Sequence, residues 1–144
     1  MNEIYRYAVG LLKNRDYTVV GLRKKLAAKF EHVPEEVFAE LISRNFLNDV
    51  RFSENYVSKR LARGKAALQS ELAARGVSAK TVEEVLSRTE WPSLREALAA
   101  KMNVWKLRVP LQSRDAARLY RALVRLGYDE DAIREEIEQI HEQQ

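Results

Sequence analysis

Residues 46–78 read Phe-Leu-Asn-Asp-Val-Arg-Phe-Ser-Glu-Asn-Tyr-Val-Ser-Lys-Arg-Leu-Ala-Arg-Gly-Lys-Ala-Ala-Leu-Gln-Ser-Glu-Leu-Ala-Ala-Arg-Gly-Val-Ser. Asp49 is a candidate N-cap, because its carboxylate can accept orphan backbone N–H bonds at a helix start. A helix is expected from there to about Arg63, where Gly64 permits a left-handed stop. A second helix carries Leu68 and Leu72 four apart and is stopped by Gly76, and Ser78 caps a third. The stretch therefore reads as three short helices.

The flanking sequence repeats this unit. Leu22 and Leu26 match Leu68 and Leu72, and then Leu119 and Leu123, at offsets of 46 and 51 residues. Val33 matches Val77 and Tyr128. Phe38, Leu41 and Ile42 match Val82, Val85 and Leu86 as inward residues of a third helix, and Ile133 and Ile137 fill two of those positions in the last copy. Thr18 is a plausible cap for one helix and Pro34 suits the first turn of the next. In the third copy Pro110 ends a long connection, Ser113 is the expected cap, and Asp129, Glu130 and Asp131 open the last helix. Its tail, His141 to Gln144, is expected to fray. Each copy is too small to bury its own core, so neighbours must stack. The expected fold is all-α: an elongated, curved array of three tandem three-helix repeats resembling helix-turn-helix units, divided at 1–45, 46–89 and 90–144.

Charge follows the same period. The 144 residues carry a net charge of +4. The balance runs +5 over residues 1–30, −4 over 31–50, +4 over 51–76, −1 over 77–90, +6 over 91–128 and −6 over 129–144. Hydrophobic residues make up 46%, enough for a core. The absence of Cys excludes disulfides and thiolate metal sites. No run of about 18 apolar residues exists to span a membrane, and the N-terminus lacks the layout of a signal peptide. A cytoplasmic protein is expected.

Catalysis finds little support. Gly10, Gly21, Gly64, Gly76 and Gly127 are too scattered for a phosphate-binding loop. His32 and His141 are the sole histidines, and neither has a second ligand at helical spacing. Glu35-Glu36 and Glu83-Glu84 have ordinary explanations at helix starts and on solvated faces. No enzyme, cofactor or metal site is expected.

The run Phe46-Leu47-Asn48-Asp49-x-Arg51-Phe52-x3-Tyr56-Val57, followed by Arg60, Gly64, Glu71-Leu72 and Gly76-Val77, resembles the RecX family. Asn48 stands where that family often has Asp, and Asn45 where a Gly often precedes the aromatic; an Asn can still cap or turn. The resemblance implies a bacterial regulator of the RecA recombinase. Such a protein is non-catalytic, binds the RecA–DNA filament, and restrains ATP hydrolysis, strand exchange and coprotease activity, with consequences for DNA repair, recombination and the SOS response. The competing reading is a tandem helix-turn-helix-like module acting mainly on single- or double-stranded DNA. No dimer seam is evident, so a monomer is expected.

Basic residues are the candidates for contact. At 100° per residue, the helix after Asp49 places Phe52, Tyr56, Val57 and Leu61 on an apolar arc. Arg60 falls inside it, and burial against a partner is favoured for Arg60 over contact with a ligand. Lys59, Arg63, Lys65 and Arg75 are expected to be exposed as a patch. Tyr56 and Tyr128 occupy core positions, whereas Tyr17 remains open as a stacking residue. The sharpest pattern is Arg114, Arg118, Arg121 and Arg125 at i, i+4, i+7 and i+11. They lie within about 60° of one another on a helix, opposite Leu119 and Leu123, in a stripe about 16 Å long. Such a stripe suits phosphates or an acidic protein surface. A solvated basic face, partly neutralised by the acidic last helix of a neighbouring repeat, is the competing account.

Overall fold

The computed structural model describes residues 2–142, with side chains over 2–140. The described residues are helical with no strand. In chain order the helices are α1 (Asn2–Asn14), α2 (Val19–Ala27), α3 (Glu35–Ser43), α4 (Asp49–Ser58), α5 (Lys65–Ala74), α6 (Ala79–Arg88), α7 (Leu94–Val104), α8 (Ser113–Arg125) and α9 (Glu130–Glu142). The tail expected to fray reaches the limit of description: α9 continues to Glu142, and residues 143–144 lie outside the described residues.

Two compact units are present. One holds residues 1–59 and 67–89, the other residues 60–66 and 90–144. In the first unit, α1 packs on α2 and α3, and α4 packs on α6. Ala8, Leu22, Leu26, Val37, Phe38, Leu41 and Leu47 form one core cluster there. Leu68, Leu72, Val82, Val85 and Leu86 are also buried. In the second unit α7 packs on α8 and α9, around Ala97, Leu98, Leu111, Leu119, Leu123, Ile133 and Ile137. The matched leucines Leu22, Leu26, Leu68, Leu72, Leu119 and Leu123 are all fully buried. Each contributes roughly 1.5–3 kcal/mol relative to an exposed side chain.

Helix ends are set by local chemistry. Thr18 and Ser78 cap as expected and Asp129 caps α9, each side chain accepting a backbone N–H three residues on. Among the described residues, four helices end in a left-handed residue, at Asn45, Gly76, Lys106 and Gly127, with φ of +62°, +87°, +54° and +100°. In each, the next N–H reaches back to close the last turn, as in Val77 to Leu72 at 3.1 Å and Tyr128 to Leu123 at 3.2 Å. Asn45 takes the position where Gly is common because a short amide side chain tolerates that region. Ser93 and Glu96 form a reciprocal capping box at the start of α7, the outcome of a Ser-x-x-Glu spacing.

Several local expectations are corrected. The cap of α4 is Asn48, whose side-chain oxygen accepts the Arg51 N–H at 3.0 Å; Asp49 is the first helical residue. The Asp49 carboxylate instead accepts the Val19 N–H at 2.9 Å, capping α2 across 30 residues of sequence. Helix α4 ends at Ser58 rather than near Arg63. Arg60, at φ −133° and ψ 28°, breaks the helix, and Leu61–Arg63 form a 3-10 turn. Gly64 has positive φ but a ψ of 160°, so it is extended rather than left-handed helical. Ser113 is inside α8, whose cap position is Gln112 without a side-chain bond. Pro34 stands just before α3 rather than in its first turn. Ile42 is 51% exposed, and Val37 takes the inward place beside Phe38 and Leu41. The buried face of α3 is thus set toward its N-terminus compared with α6, and Leu47 joins the same core.

The first unit has a tight seam between its two halves. The Thr18 hydroxyl accepts the Gly21 N–H and donates to the Arg75 carbonyl at 2.8 Å, so one group caps the start of α2 and an orphan carbonyl beyond α5. Beside it Gly76 lies against Val20; a Cβ on Gly76 would fall 2.4 Å from the Val20 Cβ. Arg51 donates to the carbonyls of Asn45 and Phe46 at 2.8 and 3.1 Å, holding the α3–α4 turn. These residues explain the density of signature positions between Asn45 and Gly76: they tie turns together.

Candidate functional site

Helix α8 is built to present charge. Leu119 and Leu123 are fully buried on one side, and Arg114, Arg118, Arg121 and Arg125 are exposed on the other. The four-residue spacing of the leucines fixes the rotation of the helix, and the arginines are then forced outward. Among the described residues no carboxylate lies within ion-pair distance of any of the four. Among the described residues the acidic helix α9 makes no ion pair with them. Its Asp131 pairs with Arg134 at 3.0 Å and its Glu136 with Arg95 at 3.3 Å.

One arginine has an internal partner of another kind. The Arg118 guanidinium carbon sits 3.7 Å from the centre of the Trp105 ring, and the Lys101 ammonium sits 5.5 Å from it. Trp105 follows α7 and is half-buried. Lys106 and Arg108 are exposed on the same connection, as are Val109 at 51% and, at the end of α7, Val104 at 72%. By sequence alone Trp105 belongs to a connecting segment and carries no role. The available signal is an aromatic interleaved with Lys101, Lys106 and Arg108, but its meeting with Arg118 depends on how α7 and α8 pack.

Elsewhere the basic residues are more engaged. Arg23 pairs with Glu35 and lies 4.2 Å from the Phe38 ring centre. Lys29 lies 4.0 Å over Tyr7. Arg15 lies 4.8 Å over Tyr17, so that tyrosine already has an internal cation. Arg75 is exposed, yet its guanidinium lies 4.5 Å over Tyr56 and donates to the Glu71 carbonyl at 3.1 Å. Lys59, Arg63 and Lys65 are exposed; Lys59 and Arg75 belong to the first unit, Arg63 and Lys65 to the second. Arg60 is half-buried, less exposed than Arg63 as expected. Tyr56 is 6% exposed, stacks on Phe52 at 5.9 Å, and donates to Glu71 at 2.5 Å, a packing role. Tyr128 likewise donates to the Pro92 carbonyl at 2.6 Å, and burial raises its pKa.

Burial raises the pKa of the Asp49 carboxyl above its ordinary value, opposed by the Val19 N–H and assisted by nearby Asp16. That carboxylate is occupied as a cap, which accounts for its environment without chemistry. Among the described residues no three His, Asp or Glu side chains converge as a metal site requires. No helix among them is long and apolar enough to cross a membrane.

The chain matches known proteins over most of its length. A family model described as RecX, second three-helix domain, matches residues 48–86. Regulatory protein RecX of Chromohalobacter salexigens is 33% identical over 135 residues, covering 88% of this chain and 86% of that protein. Regulatory protein RecX of Thermus thermophilus is 35% identical over 129 residues, covering 88% and 84%. That of Haemophilus influenzae is 36% identical over 106 residues, covering 67% and 68%.

Proposed function

The chain belongs to the RecX family, and we propose that it is a non-catalytic regulator that binds the RecA–DNA filament and restrains the ATPase, recombinase and coprotease activities of RecA. The observation that carries this reading is the arginine face of α8, exposed along its length and without a carboxylate partner among the described residues. A nucleoprotein filament supplies phosphates and acidic protein surface, and planar guanidinium groups suit either. In this reading the protein works in the cytoplasm as a monomer without a cofactor. Its repeats divide at 1–45, 46–89 and 90–144; Arg63 and Lys65 are further candidate contacts in the second unit, and Lys59 and Arg75 in the first.

Co-sedimentation with RecA filaments, with the RecA ATPase followed in parallel, tests the proposal. Binding to the protein-coated filament in preference to naked DNA, with inhibition well below one copy per RecA protomer, is the expected result. Binding to naked DNA alone, with strong salt dependence, would instead favour the tandem helix-turn-helix-like DNA module, a reading that the α8 arginines also suit.

A further inference from the structure

We infer that Trp105 and Arg118 form a stacking platform for an unpaired nucleobase, so that the second compact unit prefers single-stranded nucleic acid to duplex. The inference deepens the proposed function, on which it rests for placing α8 at a binding surface. At 3.7 Å from the indole centre, the Arg118 guanidinium is at stacking distance from the ring, and its side chain is exposed. Nucleobases stack on aromatic rings and on arginine planes alike. Lys101 lies 5.5 Å from the same ring and adds positive charge beside the platform.

The surroundings fit a strand rather than an isolated base. Arg114, Arg121 and Arg125 continue along α8 on both sides of Arg118, exposed and without described carboxylate partners. Lys106 and Arg108 add two exposed cations on the α7–α8 connection. A line of cations beside a π-surface is the arrangement that tracks a phosphate backbone while stacking its bases. Duplex bases are already stacked on their neighbours, so the platform gains a partner only from an unpaired strand. Val104 and Val109, exposed at 72% and 51%, border the connection and offer apolar surface to an unstacked base. An acidic protein partner would use the cations but would have no particular need of the aromatic ring.

The chain has two tryptophans, Trp91 and Trp105, which makes the platform directly observable. In a Trp91→Phe background the remaining emission reports Trp105. Titration with an oligothymidylate of about 20 nucleotides at low salt should quench that emission, and a duplex of equal length should bind more weakly and quench less. Trp105→Ala should weaken single-strand binding by roughly five- to 150-fold, the range expected for removing one base–aromatic stack, while Trp105→Phe retains most of the affinity. The Phe variant keeps the test valid if the Ala variant is poorly folded. Unchanged Trp105 emission at saturating single strand, or equal affinity for single strand and duplex, would overturn the inference. Equal losses of affinity in the Ala and Phe variants, both folded, would also overturn it. Filament co-sedimentation separates this result from the proposed function. Retained filament binding without Trp105 quenching removes the platform alone. Quenching by single strand without filament binding removes the regulator reading and leaves the platform.

Discussion

Gly76 and Gly127 have the same backbone role but different surroundings, and that difference is measurable. Both have positive φ after a helix, a region that costs an L-residue roughly 1–2 kcal/mol. A Cβ at Gly127 meets nothing within 4 Å, whereas one at Gly76 would collide with Val20 at 2.4 Å. Gly127→Ala should therefore cost about 1–2 kcal/mol and Gly76→Ala a further 1–3 kcal/mol for the forced repacking, read from denaturant midpoints. Equal costs would mean that the seam beside Val20 opens easily. Asp49 supplies a second test. Asp49→Ala leaves the Val19 N–H without its acceptor and should cost about 0.5–2 kcal/mol. Asp49→Asn keeps an acceptor oxygen without a buried charge and should cost less. Because the folded-state pKa of Asp49 is raised, the folded chain holds the proton more tightly than the unfolded chain. Its contribution is fullest below the ordinary Asp pKa and is lost as pH rises through the raised value. Asp49→Asn should remove that part of the pH dependence of stability, as unfolding curves at several pH values can show.

Helix α8 separates stability from binding. Leu119 and Leu123 hold it to the core, while Arg121 and Arg125 make no ion pair among the described residues. Replacing Arg121 and Arg125 together by Ala should shift stability by less than about 0.5 kcal/mol per site. Filament affinity should fall. If the partners are phosphates, the slope of log affinity against log salt should fall by roughly 0.7–0.9 for each phosphate no longer neutralised. An unchanged filament affinity in that folded variant would exclude this end of the arginine face from binding. Arg118→Ala is a different experiment, because it also uncovers Trp105. The α3 helix shows how an element can be correctly placed yet wrongly rotated. Its apolar residues Val37, Phe38, Leu41 and Ile42 span one arc of about 140° at 100° per residue, so periodicity alone does not say which edge of the arc faces inward. Leu47, beyond the helix, is fully buried in that core, whereas Ile42 is left outside it.

At the scale of the whole molecule, each compact unit has a buried leucine pair to test. Leu26→Ala in the first unit and Leu123→Ala in the second should each cost about 2–5 kcal/mol by denaturant unfolding, since both side chains are fully buried. A near-zero cost at either would break the alignment of the repeats. Much of this architecture was legible from the residues because its causes are local. Leucines four apart, Thr18 and Ser78 as caps, Gly76 and Gly127 as stops, and the outward arginines of α8 all act within one or two helical turns. The signature from Phe46 to Val77 spans α4, α5 and their turns, and its residues alone carried the resemblance to the RecX family. What tertiary structure alone decided are meetings between distant segments. Asp49 starts its own helix in sequence but caps α2 in space; Thr18 closes on Arg75; Leu47 joins the core of α1–α3; Arg118 lies on Trp105. Helix propensity and capping are set by neighbours along the chain. Partner choice between helices is set by which side chains fill a shared volume, and that volume does not exist until the helices pack.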